Sequence, residues 1–167
     1  MAYYRRRAGE YDATAYDDVA VAAGRVERLV KQMRPTGAVL EIACGTGMWT
    51  AALARWASTL VAVDAAPETI QIARERVALP NVTFEVADAF SWTTSERFDV
   101  IFFSAWLSHV PMSRFEQFWA FYGPCWRTGG GCCSSTSTPT NAGRSHTFPV
   151  TERPSNERCA TAASFAS

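Results

Sequence analysis

The segment VLEIACGTGMWTAALA, residues 39–54, carries an apolar run through one carboxylate into two glycines and then directly into an alanine-rich helical stretch. A chain written this way turns sharply from a buried strand into a helix. The alternation then continues. AVLEIA, LVAVD, VTFEVAD and FDVIFFSAW read as strands, while residues 48–56 and 67–77 read as helices, the second with proline in its first turn. Strands separated by helices at this spacing predict a mostly parallel sheet with helices packed on its faces. Right-handed crossovers make that a doubly wound, Rossmann-like α/β fold.

Ahead of the first strand, Val19, Ala23, Val26, Leu29, Val30 and Met33 recur at helical spacing, which predicts an amphipathic helix over residues 16–33. Pro35 and Gly37 end it. Further on, Pro111 with Ser113 and Glu116 reads as a capping box that opens the aromatic helix RFEQFWAFY.

At 167 residues, with 48% hydrophobic side chains, the chain has the apolar material for one domain with its own core. Its formal charge is zero, so no global field draws it to nucleic acid or to an anionic membrane, and neither is expected as a partner. The N-terminus lacks the apolar core of a signal peptide, and no run approaches the ~20 apolar residues of a membrane span. A soluble, cytoplasmic protein is the expectation. Five cysteines without a CxxC pair point to reduced thiols and no metal site.

Ligands of open α/β sheets bind outside the carboxyl ends of the strands, and Cys44 to Met48 falls there. Gly45 and Gly47 let the backbone turn tightly and approach a ligand closely. Amides at the start of the next helix can receive a carboxylate or phosphate. Glu41, inside the preceding strand, is a buried acid that needs a cationic or donor partner, and an α-ammonium group would serve. A dinucleotide turn would place a third glycine where Thr50 stands, and Met48-Trp49 fills the space a pyrophosphate needs. A small anionic or zwitterionic metabolite therefore fits better than a nicotinamide or flavin cofactor.

VLEIACGTGMWT resembles the first motif of class I S-adenosylmethionine-dependent methyltransferases, in its E/DxxCGTG form, and the following segments keep that family's order and distances over roughly residues 3–127. The resemblance implies S-adenosyl-L-methionine as cofactor. Its methionine carboxylate would lie on the amides of Gly45 to Trp49 and its ammonium group toward Glu41. The ribose would lie on Asp64, and the adenine on Asp88 beside Phe90. The implied cofactor-binding set is Glu41, Ala43, Cys44, Gly45, Gly47, Trp49, Asp64, Ala65, Asp88, Ala89, Phe90 and Ser104. FDVIFFSAWLSHVP is similar to the fourth strand and the loop bordering the transferred methyl group, which makes His109 the candidate general base. His109 can equally fix the loop before Pro111, and Asp64 and Asp88 can equally be caps or turn residues. YYRRRAGEYDATAY is similar to an N-terminal helix that covers the cofactor in some small-molecule members. Tyr3, Tyr4, Tyr11 and Tyr16 then form a lid or simply pack that helix.

The resemblance weakens after residue 127. Of the last 40 residues, 23 are Ser, Thr, Gly, Pro or Asn, with Val150 the single Val and no Leu or Ile. The expectation is an irregular tail over 128–167, a sheet incomplete at its C-terminal strands, and an unpaired fourth strand prone to self-association. With one Lys against fifteen Arg, GC-rich codons are expected. Gly131 to Asn141, back-translated that way and read from the third base of the first codon, yields Val-Leu-Phe-Val-Asp-Glu-His-Ala-Asp-Glu. The hypothesis this suggests is a change of reading frame between about Tyr122 and Gly131, with the nucleotide sequence as its direct check.

The functional expectation is a methyltransferase acting on a small-molecule acceptor. Its rivals are a cofactor-binding remnant or interaction module without turnover, and a Rossmann-type oxidoreductase.

Overall fold

The computed structural model describes residues 8–104, 106, 110–122 and 125–135. Five parallel strands, β1 (Gly37–Ile42), β2 (Ala57–Asp64), β3 (Val82–Val86), β4 (Phe98–Ser104) and β5 (Trp126–Ser135), stand in the order β3-β2-β1-β4-β5. From β1 the chain builds outward to β3 and then returns to the other side of β1. The β1/β4 boundary is therefore the topological switch point.

Alternation within β1 sorts the core into two layers. Val39 packs with Val26, Val30, Leu53, Leu60 and Phe102, under α2 (Val19–Met33) and α3 (Met48–Leu53). Leu40 and Ile42 pack on the opposite face with Val63, Ile101 and Phe103, against Phe118 and Tyr122 of α5 (Met112–Tyr122). Fully buried Leu40, Leu53 and Ile101 are each worth about 1.5–3 kcal/mol relative to exposure. Helices thus cover both faces, as the strand–helix alternation predicts. A short helix, α1 (Tyr11–Ala15), precedes α2, and α4 (Pro67–Arg76) links β2 to β3.

Three expectations are corrected. The amphipathic helix starts at Val19 rather than residue 16, because the Asp18 carboxylate accepts from the amides of Ala20 and Val21 at 2.9 and 3.0 Å and sets the N-cap there. The aromatic helix starts at Met112, which puts Ser113 inside its first turn rather than at the cap. The third correction concerns the fifth strand. Residues 128–135 belong to β5, with Val100 opposite Gly131 and Ser104 opposite Ser135, so β4 is paired on both sides. Backbone groups along β4 require partners, and that requirement outweighs the poor strand propensity of GGGCCSS. The misfit is visible in the ladder: Phe98 faces Trp126 while Val100 faces Gly131, a register break that loops out extra residues. Residues 136–167 lie outside the described residues.

Candidate cofactor site

The glycine turn crosses the carboxyl end of the sheet. Ala43, Gly45 and Gly47 all take left-handed φ values, 57°, 56° and 81°. The two glycines differ in what stands beside them. A Cβ built on Gly47 would meet Ala73 of α4 at 3.0 Å, so this glycine lets the helix pack directly on the turn. A Cβ on Gly45 would meet nothing within 4 Å, so Gly45 borders open space. Ala43 holds the left-handed conformation despite its side chain, a local strain of about 1–2 kcal/mol.

Asp64, at the end of β2, fastens this turn. Its Oδ2 accepts the Gly45 amide at 2.9 Å, and its Oδ1 accepts the Ala66 amide at 2.9 Å. The Thr69 hydroxyl lies 3.1 Å from the same Oδ1 but 2.8 Å from the Ala66 carbonyl, and its single proton favours the nearer acceptor. Each Asp64 oxygen thus accepts one backbone amide and retains further acceptor capacity. Ala65, beside it, is half-buried.

Glu41 is 2% exposed and accepts a 2.6 Å hydrogen bond from the Thr50 hydroxyl. Burial, against the lowering effect of that bond and reinforced by the nearby Asp64 charge, pushes its carboxyl up to about 8. The carboxyl is therefore held neutral near pH 7, hydrogen-bonded to Thr50 beneath the turn. Cys44 is buried, and burial raises its thiol well above the ordinary range, with Glu41 and Asp64 adding to the effect. It fills space in the turn rather than supplying a nucleophile.

At the end of β3, Asp88 forms a tight turn in which Oδ1 accepts the Phe90 amide at 2.9 Å. Among the described residues its Oδ2 accepts no hydrogen bond. Phe90 is half-buried, with its ring centroid 5.3 Å from that of Trp106, while the Arg114 guanidinium lies 3.7 Å from the ring centre on α5. The buried Tyr122 hydroxyl donates to the Ala89 carbonyl at 2.5 Å and pins this loop to α5. Ser104 closes β4, half-buried.

The carboxyl ends of β1, β2 and β3 thus bring together Glu41, Ala43, Cys44, Gly45, Gly47, Asp64, Ala65, Asp88, Ala89 and Phe90. Trp49 is expected to contribute its backbone amide, and its side chain lies elsewhere. Its ring lies 5.1 Å from Phe102 and packs against the core, so only its position at the helix start belongs to the turn. His109, Tyr3 and Tyr4 lie outside the described residues. Sequence reading missed Thr50, Thr69, Asp12, Thr46, Arg76, Arg114 and Tyr122. Thr50 carried a signal: it lies nine residues after a strand acid, one helical turn beyond Gly47.

A doubly wound sheet with a glycine turn and acids at the ends of its first three strands defines a nucleoside- or metabolite-binding α/β domain. A family model for a methyltransferase domain matches residues 39–130, more than half of the chain, and the chain belongs to that family. It is 36% identical over 95 residues to a 2-heptyl-1-hydroxyquinolin-4(1H)-one methyltransferase of Mycobacteroides abscessus, covering 54% of this chain and 42% of that protein. It is 30% identical over 105 residues to a malonyl-[acyl-carrier protein] O-methyltransferase of Acetivibrio thermocellus, covering 62% and 37%. Among solved structures, the DhpI–SAH complex superposes with a TM-score of 0.67 at 44% identity over 77% of this chain and 63% of that one. The N-methyltransferase NodS from Bradyrhizobium japonicum WM9, in complex with S-adenosyl-L-homocysteine, shares the fold at 23% identity and a TM-score of 0.65, over 75% and 66%. The chain spans less than half the length of the two sequence relatives.

Proposed function

We propose that this chain is the cofactor-binding domain of an S-adenosylmethionine-dependent methyltransferase that acts on a small-molecule acceptor. The observation that carries the reading is the Asp64–Gly45 bond in a family member, because it joins the strand-end acid to a glycine that borders open space. The fit of the residues to the cofactor rests on three features. Gly45 leaves room beside the turn, Asp88 Oδ2 is open among the described residues, and Glu41 is a buried acid whose neutral state a nearby ammonium would reverse. DhpI, 44% identical, was crystallised with SAH, which supports the same ligand here.

In this reading Gly45 to Trp49 hold the carboxylate end, Glu41 faces the ammonium, Asp64 accepts from the ribose, and Asp88 with Phe90 holds the adenine. S-adenosylmethionine supplies a methyl group already activated on a sulfonium, so the protein's work is alignment of an acceptor and exclusion of water. Ser104, at the end of β4, faces the acceptor side in this reading, and the sequence that follows carries His109, a residue type that can take a proton near neutral pH.

Calorimetric titration of the whole chain with S-adenosylhomocysteine tests this. Saturable binding is expected, weakened about tenfold in Asp88→Ala, roughly the value of one lost charge-assisted hydrogen bond. A folded wild-type protein without saturable binding would defeat the reading. Binding with no methyl transfer across an acceptor panel would leave the domain a cofactor binder only. Among the described residues no helix is long and apolar enough to cross a membrane.

A further inference from the structure

Three side chains from distant parts of the chain close a polar ring over the glycine turn. Asp12 on α1 accepts through Oδ1 from the Thr46 hydroxyl at 2.6 Å and pairs through Oδ2 with the Arg76 guanidinium. Arg76 completes the ring by donating from Nη1 to Thr46 Oγ1 at 3.2 Å. A hydroxyl has one proton and two lone pairs, so Thr46 can make both bonds at once. Thr46 is 4% exposed, and the Asp12 and Arg76 side chains are 16% and 30% exposed, which shields the pair from the screening that weakens open surface ion pairs.

The backbone explains why these residues meet. Thr46 stands between Gly45 and Gly47, and Ala73 of α4 packs against Gly47. Arg76 follows Ala73 by three positions, on the same side of α4, and so reaches across the turn. As the last residue of that helix it also sits where a cation is favoured. The N-terminal segment is therefore fastened to the very turn proposed to hold the cofactor.

We propose that Asp12, Thr46 and Arg76 form a clasp that holds the N-terminal segment closed over the glycine turn and thereby sets how fast the cofactor leaves. The inference rests on the cofactor reading given above. None of the three needs to touch the ligand; they are positioning residues, acting through the placement of α1. Opening requires breaking a partly shielded ion pair and a hydroxyl bond together, so the ring acts as one unit.

The test uses the full chain as wild type, Asp12→Asn, Arg76→Gln and the double variant, with two readouts. Hydrogen exchange over residues 11–16 reports whether the segment is fastened. Stopped-flow displacement of S-adenosylhomocysteine reports release. Each single variant is expected to speed exchange there and to raise the dissociation rate constant about tenfold, with association changed by less than about twofold. The double variant should release no faster than either single, because both singles break the same ring. Unchanged exchange in Asp12→Asn, or additive effects of the two singles, would overturn the clasp. If wild type binds no S-adenosylhomocysteine, the control of release falls with the cofactor reading, and exchange still decides whether the ring fastens the segment.

Discussion

The backbone amide of Gly45 donates to the carboxylate of Asp64 across 2.9 Å, so the acid that ends β2 holds the glycine turn that ends β1. The same carboxylate takes the Ala66 amide before α4. Asp64 is thus a scaffold residue of the turn, and in the proposed reading the same side chain also accepts from the ribose, so the cap-or-turn alternative is compatible with that role. Asp64→Ala strips acceptors from two backbone amides at a half-buried position, and a loss of about 2 kcal/mol in stability is expected. Asp64→Asn retains one oxygen and should lose about half as much. Chemical denaturation of the ligand-free proteins measures both; equal stability of wild type and Asp64→Ala would show that the turn does not depend on this carboxylate.

The two glycines separate stability from binding. Gly47→Ala meets both a left-handed φ of 81° and the Ala73 side chain at 3.0 Å, and should cost at least about 2 kcal/mol. Gly45→Ala meets the φ penalty alone, about 1–2 kcal/mol, but its methyl group enters the open space beside the turn. Its S-adenosylhomocysteine affinity should fall more steeply than its melting temperature suggests. Comparable affinity losses in both variants would mean that Gly45 does not border the ligand.

Tyr122 ties the Asp88–Phe90 loop to α5 through its bond to the Ala89 carbonyl. Tyr122→Phe keeps the ring contacts with Phe118 and Trp92 and removes that bond. About 1 kcal/mol of stability should go, a fall of about 2–4 °C in melting temperature for a chain of this size. A larger drop would show that the ring packing had been disturbed as well.

How far the sequence was legible follows the range of the interactions involved. The strand–helix alternation, the glycine turn and the three strand-end acids are local patterns, and β1 to β4 stand where those patterns place them. The Thr50–Glu41 bond was within reach of the same reasoning, since both residues belong to one strand–turn–helix unit. Asp12, Arg76 and Tyr122 were not, because they act on residues 30 or more positions away and carry no periodic signature. β5 failed for a different reason. Its composition opposes a strand, yet the unpaired backbone of β4 imposes one, and propensity reasoning has no access to a neighbour's unmet hydrogen bonds.

Glu41 makes stability depend on pH in a direction opposite to that of a salt-bridged carboxylate. Its folded value of about 8 lies above the ordinary 4.5, so between those limits the folded chain binds a proton that the unfolded chain releases. The group's contribution is complete below pH 4.5, declines as pH rises through the window by at most about 1.4 kcal/mol per unit, and is level above 8. Glu41→Gln cannot titrate there, so subtracting its denaturation profile from that of wild type isolates the effect. A difference that stays flat from pH 5 to 8 would show that Glu41 is charged in the folded protein. The same proton links to the ligand. An ammonium group arriving near Glu41 favours the carboxylate, so S-adenosylhomocysteine binding at pH 7 should expel up to one proton and tighten as pH rises toward 8. Titrations in two buffers of different ionisation enthalpy count that proton. Wild type should release it and Glu41→Gln should not, whereas equal release from both would mean that the ammonium end is held away from Glu41.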